Sequence, residues 1–316
     1  MDFSVVIPTY KRKNSLLTLF NFLKDSMNQI GASKKGEIIV VEQAPFVFSE
    51  DEIFSKKKEL PFLRWIRIEK ANLPLARDIG ILLSHGEIII FLDDDLEIGN
   101  EFIKNYLDFF QKADKNINVV TGRLIQPNLK GFYSFLEKIP PFFSPFSGDI
   151  FGGFDLEKAQ VVQTVKGGNV AYRKKALLEA GGFDFNFEVV ALREEADVVE
   201  RLKKRGHKVF YLPEAKAIHC QDREGGERQR DYSELLYWGR RSESLFVAKN
   251  FSLLTWLMFY LSRLLITILR GVKTFHLLEY SVKAHQGMLE GRRISHKSKD
   301  TNFLDYVKDN IKWREI

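Results

Sequence analysis

The sequence holds a single cysteine, Cys220, in 316 residues. A lone thiol excludes a disulfide framework and a cysteine-built zinc site, and it suits a reducing compartment. The opening residues, MDFSVVIPTY, lack a basic stretch followed by a long apolar core, so no secretory leader is expected. No internal repeat is evident. No glycine-rich phosphate loop follows the first apolar run, because Pro8-Thr9-Tyr10 stands there instead. Aromatic and cationic residues are not interleaved in the pattern of nucleic-acid readers, so no nucleic acid is expected as a partner.

What remains is an ordinary globular composition, 45% hydrophobic and 28% charged. The length allows one large domain, or one domain with an appendage. The net charge of +6 is unevenly spread: residues 221–316 carry 17 Lys and Arg against 12 Asp and Glu. An excess of cations in the last third points by charge alone to an anionic partner, either nucleic acid or a membrane surface.

The most informative stretch is EIIIFLDDDLE, residues 87–97. Residues 88–92 are an unbroken apolar run, which reads as a strand buried on both faces at the centre of a parallel sheet. It leads into Asp93, Asp94 and Asp95. Adjacent carboxylates repel and raise one another's pKa unless a cation joins them. Hard divalent cations take oxygen ligands and keep positions open for phosphates. Ligands of open α/β sheets sit beyond the carboxyl ends of the strands. A metal and a phosphate are therefore expected at this rim, the plain alternative being a solvated acidic turn.

Around this centre, strands are predicted at residues 3–7, 37–41, 63–68, 118–121 and 208–212. Helices are predicted from Asn14 or Ser15, over 73–84, 101–112, from 173 to Ala180, and over 189–205. Residues 46–60 read as charged and irregular, and residues 131–154 as a long, partly ordered loop over a site. Strand–helix alternation with short connections predicts an α/β fold with a parallel, Rossmann-like sheet.

Several segments then occur in one order: VVIPTYKR, EIIVVEQ, NLPLARDIGILLSHGEIIIFLDDD, GGNVAYRKKALLEAGGFD and REEADVVERLKKRGHKVFYLP, ending at His219. In these motifs the chain resembles the family 2 glycosyltransferases of GT-A fold. The resemblance implies an inverting transfer of a sugar from a nucleoside-diphosphate donor, UDP-sugar favoured, to an acceptor hydroxyl. It implies Mg²⁺ or Mn²⁺ held by Asp95, with Asp93 against the nucleotide, Asp94 assisting and His219 as a second metal or phosphate contact. It implies a general base in the acidic pair Glu194-Glu195, at Glu195, where the family more often has Asp. Pro8, Thr9, Tyr10 and Arg12 would flank the base. Glu42 stands where an Asp usually accepts from the nucleobase, Arg77 and Asp78 match a segment facing base and phosphates, and Gly168 and Asn169 would line the acceptor side. Asp197 and Arg201, one helical turn apart, read as a structural ion pair. By this resemblance residues 1–220 form the catalytic domain, with a nucleotide-binding half to about 122 and an acceptor half from about 123.

Residues 221–316 read as a basic, apolar helical region. Residues 235–250 look helical, and 251–269 are strongly apolar with Arg263 inside. Lys249, Ser252, Arg263, Thr267, Arg270 and Lys273 fall near one side of a helical wheel. A broad apolar face with a cationic stripe predicts a helix lying on a membrane through residues 251–275, next to anionic lipid. The alternative is a core helix or a homodimer contact. The expectation is a cytoplasmic enzyme, peripheral on the inner face of the cell membrane, with a lipid-linked or polysaccharide acceptor. A sugar-nucleotide nucleotidyltransferase of similar fold and a non-catalytic membrane-binding protein are the competing readings.

Overall fold

The computed structural model describes residues 1–31, 34–129, 131–146, 149–220, 231–299 and 301–316. The first ten residues of the basic region and two within the expected loop lie outside them. The chain opens as a repeating strand–helix unit: β1 (Phe3–Thr9), α1 (Lys13–Ile30), β2 (Gly36–Gln43), α2 (Glu50–Glu59), β3 (Leu63–Ile68), α3 (Leu73–Leu83) and β4 (Ile88–Leu92). The four strands are parallel, in the order β3-β2-β1-β4, with Val5 opposite both Ile38 and Ile90. Their apolar runs are buried on both faces, as expected of a covered parallel sheet.

Residues 46–60 are not irregular, for they contain α2. Ser49 Oγ accepts from Glu52 N at 3.3 Å, and Glu52 Oε2 accepts from Ser49 N at 2.8 Å. This capping box starts the helix despite its heavy charge.

The second half turns the sheet mixed. It continues with β5 (Leu96–Ile98), α4 (Phe102–Lys112), β6 (Ile117–Ile125), the short α5 (Phe132–Leu136), the hairpin β7 (Phe142–Ser144) and β8 (Asp149–Phe151), and β9 (Gln160–Val162). Then come β10 (Asn169–Arg173), α6 (Lys174–Ala180), α7 (Glu194–Lys203) and β11 (Lys208–His219). β10 runs antiparallel between β4 and β6, which carries residues 166–168 over the end of β4. β5 pairs antiparallel with the end of β11, with Leu96 opposite His219. The helix expected from residue 189 begins only at Glu194, because Val189 (φ 66°) and Arg193 (φ 79°) hold left-handed backbone.

Three helices follow: α8 (Tyr232–Asn250), α9 (Leu253–Thr274) and α10 (Leu277–Ser298). α10 fits tightly against α8, since a Cβ on Gly287 or Gly291 would collide with the carbonyl of Tyr237 or Arg241. The last elements, not anticipated from the sequence, return to the nucleotide half. α11 (Phe303–Asn310) lies against α3, and β12 (Trp313–Glu315) pairs antiparallel with β3.

The cationic stripe of α9 is corrected by the fold. Arg263 and Thr267 are buried, and Arg263 Nη2 donates to Glu243 Oε1 of α8 at 2.9 Å. The apolar side faces outward instead, with Leu254, Leu261, Leu265 and Leu269 each about three-fifths exposed. The packing face therefore holds Arg263 and Thr267 beside Trp256 and Phe259, while Ser252, Arg270 and Lys273 of the wheel stay exposed. The buried guanidinium is tolerated because it meets a carboxylate.

Candidate active site

β4 ends at Leu92, and the three aspartates follow at its carboxyl end. Asp94 is turned into the protein: its Oδ2 accepts from Thr9 Oγ1 at 2.7 Å, and its Oδ1 accepts from Arg12 Nη1 at 2.9 Å. Burial pushes its carboxyl up to about 6, against the pull of Arg12. Arg12 Nη1 is also 3.1 Å from Asp95 Oδ2. It neutralises the second and third aspartates. The pairing of β5 with β11 delivers His219, whose Nε2 lies 3.1 Å from Asp95 Oδ1. Cys220 N donates to the Asp95 carbonyl at 3.0 Å and closes the turn.

Ligand atoms of Asp93, Asp95 and His219 all lie within 4.8 Å of one another. Two carboxylates and an imidazole suit a hard or borderline divalent cation. Among the described residues His219 Nδ1 is buried with no hydrogen-bond partner, which leaves a nitrogen lone pair or proton unsatisfied beside this cluster. The residues thus fit a divalent metal.

The acidic pair opens α7 from the other side. Glu195 Oε1 accepts from Gly167 N at 3.3 Å. Arg77, buried from α3, pairs with Glu194 Oε1 and sets its Nη2 3.9 Å from Asp93 Oδ1. Burial pushes the Glu194 carboxyl well above the usual range, and the adjoining Glu195 adds to this. Burial opposes charge on Glu195 too. The hydrogen bond from Glu194 and the charge of Arg77 outweigh it and hold this carboxyl below its ordinary value. One member of the pair is poised to keep a proton and the other to accept one.

The turn at residues 166–168 is the common wall of both groups. Gly168 O accepts from Asp93 N at 3.2 Å. A Cβ on Gly168 would collide with the Asp93 carboxylate, and one on Gly167 would lie 2.9 Å from Arg77 Nη2 and 3.2 Å from Glu195 Cδ. The glycines are there for close approach, and Gly168 has no left-handed backbone.

Three expected contacts are corrected. Glu42 has both oxygens occupied: Val47 N and Phe48 N donate to Oε1, and Trp65 Nε1 and Arg67 Nε to Oε2. It is a saturated internal anion with nothing left for a nucleobase. Asp78 is wholly buried and accepts from Phe183 N at 2.7 Å, so it braces the turn after α6. Arg77 meets carboxylates beneath Gly167, Glu194 on one side and Asp93 on the other. Asn169 is wholly buried; Tyr106 Oη donates to its Oδ1, and its Nδ2 donates to the carbonyls of Arg123 and Ala215. It knits strands together and lines no acceptor. Pro8 and Thr9 end the buried β1, and Tyr10 is half-buried under Lys11 Nζ at 5.2 Å from its ring centre. Gly167 was missed as a partner of the pair, though it adjoins Gly168 in the same turn. Asp197 and Arg201 form the expected ion pair, Oδ2 to Nε, at 3.0 Å.

Residues 4–180 match the model of the family described as glycosyl transferase family 2. No curated protein matches the chain by sequence. Among solved structures it is similar to S. aureus TarS 1–349 in complex with UDP-GlcNAc, with a TM-score of 0.54 at 14% identity over 95% of this chain and 93% of that one. It is similar to the mannosyltransferase PcManGT from Pyrobaculum calidifontis in complex with GDP-Man and Mn²⁺, with a TM-score of 0.56 at 12% identity over 95% and 88%. It is also similar to GalNAc-T7 with UDP, GalNAc and Mn²⁺, with a TM-score of 0.56 at 16% identity over 79% and 50%. These likenesses are of fold, and the family match covers more than half of the chain. The chain belongs to glycosyl transferase family 2 and is a glycosyltransferase of GT-A fold.

Proposed function

We propose that this glycosyltransferase moves a sugar from a nucleoside-diphosphate donor, a UDP-sugar favoured, to a hydroxyl of a lipid-linked or polysaccharide acceptor with inversion. Residues 1–220 carry the donor and acceptor sites. Asp93, Asp95 and His219 would hold Mg²⁺ or Mn²⁺, whose Lewis acidity offsets charge on a departing diphosphate. Glu195 takes the proton of the acceptor hydroxyl as that oxygen bonds to the anomeric carbon. The bond from that carbon to the phosphate oxygen breaks, and its electron pair leaves with the diphosphate. Arg77 and Gly167 orient the Glu pair, and Thr9 and Arg12 hold Asp94 and so the aspartate turn.

The observation that carries this reading is the turn at 166–168. It abuts Asp93 through Gly168 and Glu195 through Gly167, so the metal-ligating cluster and the acidic pair flank one turn. The nucleotide sugars and Mn²⁺ in the structurally similar TarS and PcManGT complexes support the donor and metal assignments. The test is release of product from UDP- and GDP-sugars with Mn²⁺ and with EDTA. Metal-dependent release of nucleoside diphosphate, abolished in Glu195→Gln with UDP binding retained, is expected. Pyrophosphate release would mean a nucleotidyltransferase, and no turnover across the donors would mean a binding protein.

The acceptor side of the proposal rests on α9. Among the described residues one helix, Leu253–Lys273, is long and apolar enough to cross a membrane by length and composition. Its polar side is committed to Glu243, so the helix stays on the protein and offers a bilayer only its outer leucines. Exposed Phe275 and Leu278 extend that apolar face, and exposed Arg270 and Lys273 border it with positive charge. This supports peripheral attachment to an anionic cytoplasmic membrane face, in preference to a span or a homodimer contact.

A further inference from the structure

Val189 and Arg193 are not glycines, yet both hold left-handed backbone just ahead of Glu194 and Glu195. A β-branched residue in that region persists only where its surroundings enforce it. The surroundings here are α8. Arg241 Nη1 donates to Asn186 O at 2.7 Å, and Arg241 Nη2 lies 3.1 Å from Glu188 Oε1. Ser242 Oγ donates to Val190 O at 2.7 Å. At the end of the same helix Lys249, almost wholly buried, places Nζ 2.9 Å from Asp184 Oδ2 and 2.9 Å from Asp197 Oδ2. Asn250 Nδ2 donates to Asp197 Oδ1 at 2.8 Å.

Asp184 begins the loop that contains the two strained residues, and Asp197 lies in the first turn of α7, two residues after Glu195. A buried ammonium shared by two carboxylates is costly to assemble and highly directional once made. Simple helix packing does not require it, since α8 already meets α7 and α10 through an apolar cluster with Phe187, Ala196, Leu245 and Phe246. The clamp is placed instead where the base-bearing segment enters and leaves its strained turn.

We propose that Lys249 and Asn250 are positioning residues of the active site, fixing through Asp184 and Asp197 the carboxylate of Glu195. This rests on the reading of Glu195 as the base. It makes the region after residue 231 part of the catalytic apparatus as well as an attachment.

The test uses the full chain as wild type, Asn250→Ala, Lys249→Arg, Lys249→Met and Glu195→Gln. Nucleoside diphosphate release from UDP- and GDP-sugars gives kcat and KM, calorimetry gives the affinity for UDP with Mn²⁺, and thermal unfolding reports the fold. Asn250→Ala and Lys249→Arg are expected to unfold cooperatively and bind UDP within about threefold of wild type. Their kcat should fall roughly 10- to 100-fold at unchanged donor KM, the penalty of a carboxylate displaced by about an ångström. Lys249→Met should lose more. Wild-type kcat in both milder variants overturns the proposal. Equal loss of kcat and UDP affinity overturns it too, as does global unfolding of every variant, since each marks a general folding role. An inactive wild type or an active Glu195→Gln refutes the base reading itself, and this inference with it.

Discussion

His219 Nε2 stands 3.1 Å from Asp95 Oδ1, and the two meet only because β5 folds back antiparallel onto the end of β11. One oxygen of Asp95 faces His219 while the other faces Arg12 at 3.1 Å. The buried carboxylate therefore sits between a neutralising guanidinium and the imidazole that completes the cluster with Asp93. Replacing His219 with Ala should weaken Mn²⁺ binding at least about tenfold while the fold survives. Electron paramagnetic resonance of free Mn²⁺ during titration reads this directly. Unchanged affinity would remove His219 from the metal set.

Gly168→Ala should act on the same cluster without a large cost in stability. The colliding atoms belong to the carboxylate end of Asp93, which can rotate away. The expected result is weakened Mn²⁺ binding with a loss of stability below about 1.5 kcal/mol, within the range of tolerated packing changes. A variant that keeps full Mn²⁺ affinity would show that Asp93 is not a ligand.

Glu42→Gln should do the opposite. Glu42 accepts four hydrogen bonds inside the protein, one from the buried Arg67. An amide puts a donor against these donors and leaves the guanidinium unpaired, which costs about 3–5 kcal/mol. Urea unfolding measures this. UDP affinity of the folded fraction should change little, and a large selective loss would return Glu42 to the nucleotide pocket.

On α9 the two faces should separate. Leu257→Glu with Leu261→Glu and Leu265→Glu changes exposed positions and should abolish binding to vesicles containing phosphatidylserine with little change in melting temperature. Arg263→Leu leaves the buried Glu243 with Arg240 as its remaining charge partner and should cost about 1–3 kcal/mol in stability. Vesicle binding that survives the triple change would refute the membrane reading.

Acid stability should report the α7 clamp. Burial alone would raise the Asp197 carboxyl, but Lys249 and Arg201 outweigh it and hold it at about 2. Its folded value is depressed, so its contribution is complete above about pH 4 and is lost as the pH falls toward 2. Urea unfolding across that window should show a steep acid limb in wild type and a flatter one in Asp197→Asn. Identical slopes would mean that Asp197 is not held ionised by the fold.

Much of the catalytic half was legible in the chain itself. The strand into Asp93–Asp95 has the unbroken apolar run that burial on two faces demands, and the acidic pair stands at a helix start where the structure also has it. The capping box of α2 was equally present, as Ser49 and Glu52, but the surrounding charge concealed it. Asp78, Glu42 and Asn169 were misplaced for one reason. A polar residue in a motif reads alike whether its side chain points to a ligand or to a neighbouring strand, and only packing assigns the direction.

The sequence by itself determined the family, the parallel half of the sheet, and which carboxylates gather at its rim, because local periodicity and motif spacing are properties of contiguous residues. Tertiary structure alone decided that Arg12 faces the aspartates, that Glu42 is saturated, and that Arg263 turns inward while leucines turn out. It alone joined Lys249 to Asp184 and Asp197, and β12 to β3. Buried charges choose partners by distance in space, and that distance is set only when elements remote in the chain pack together.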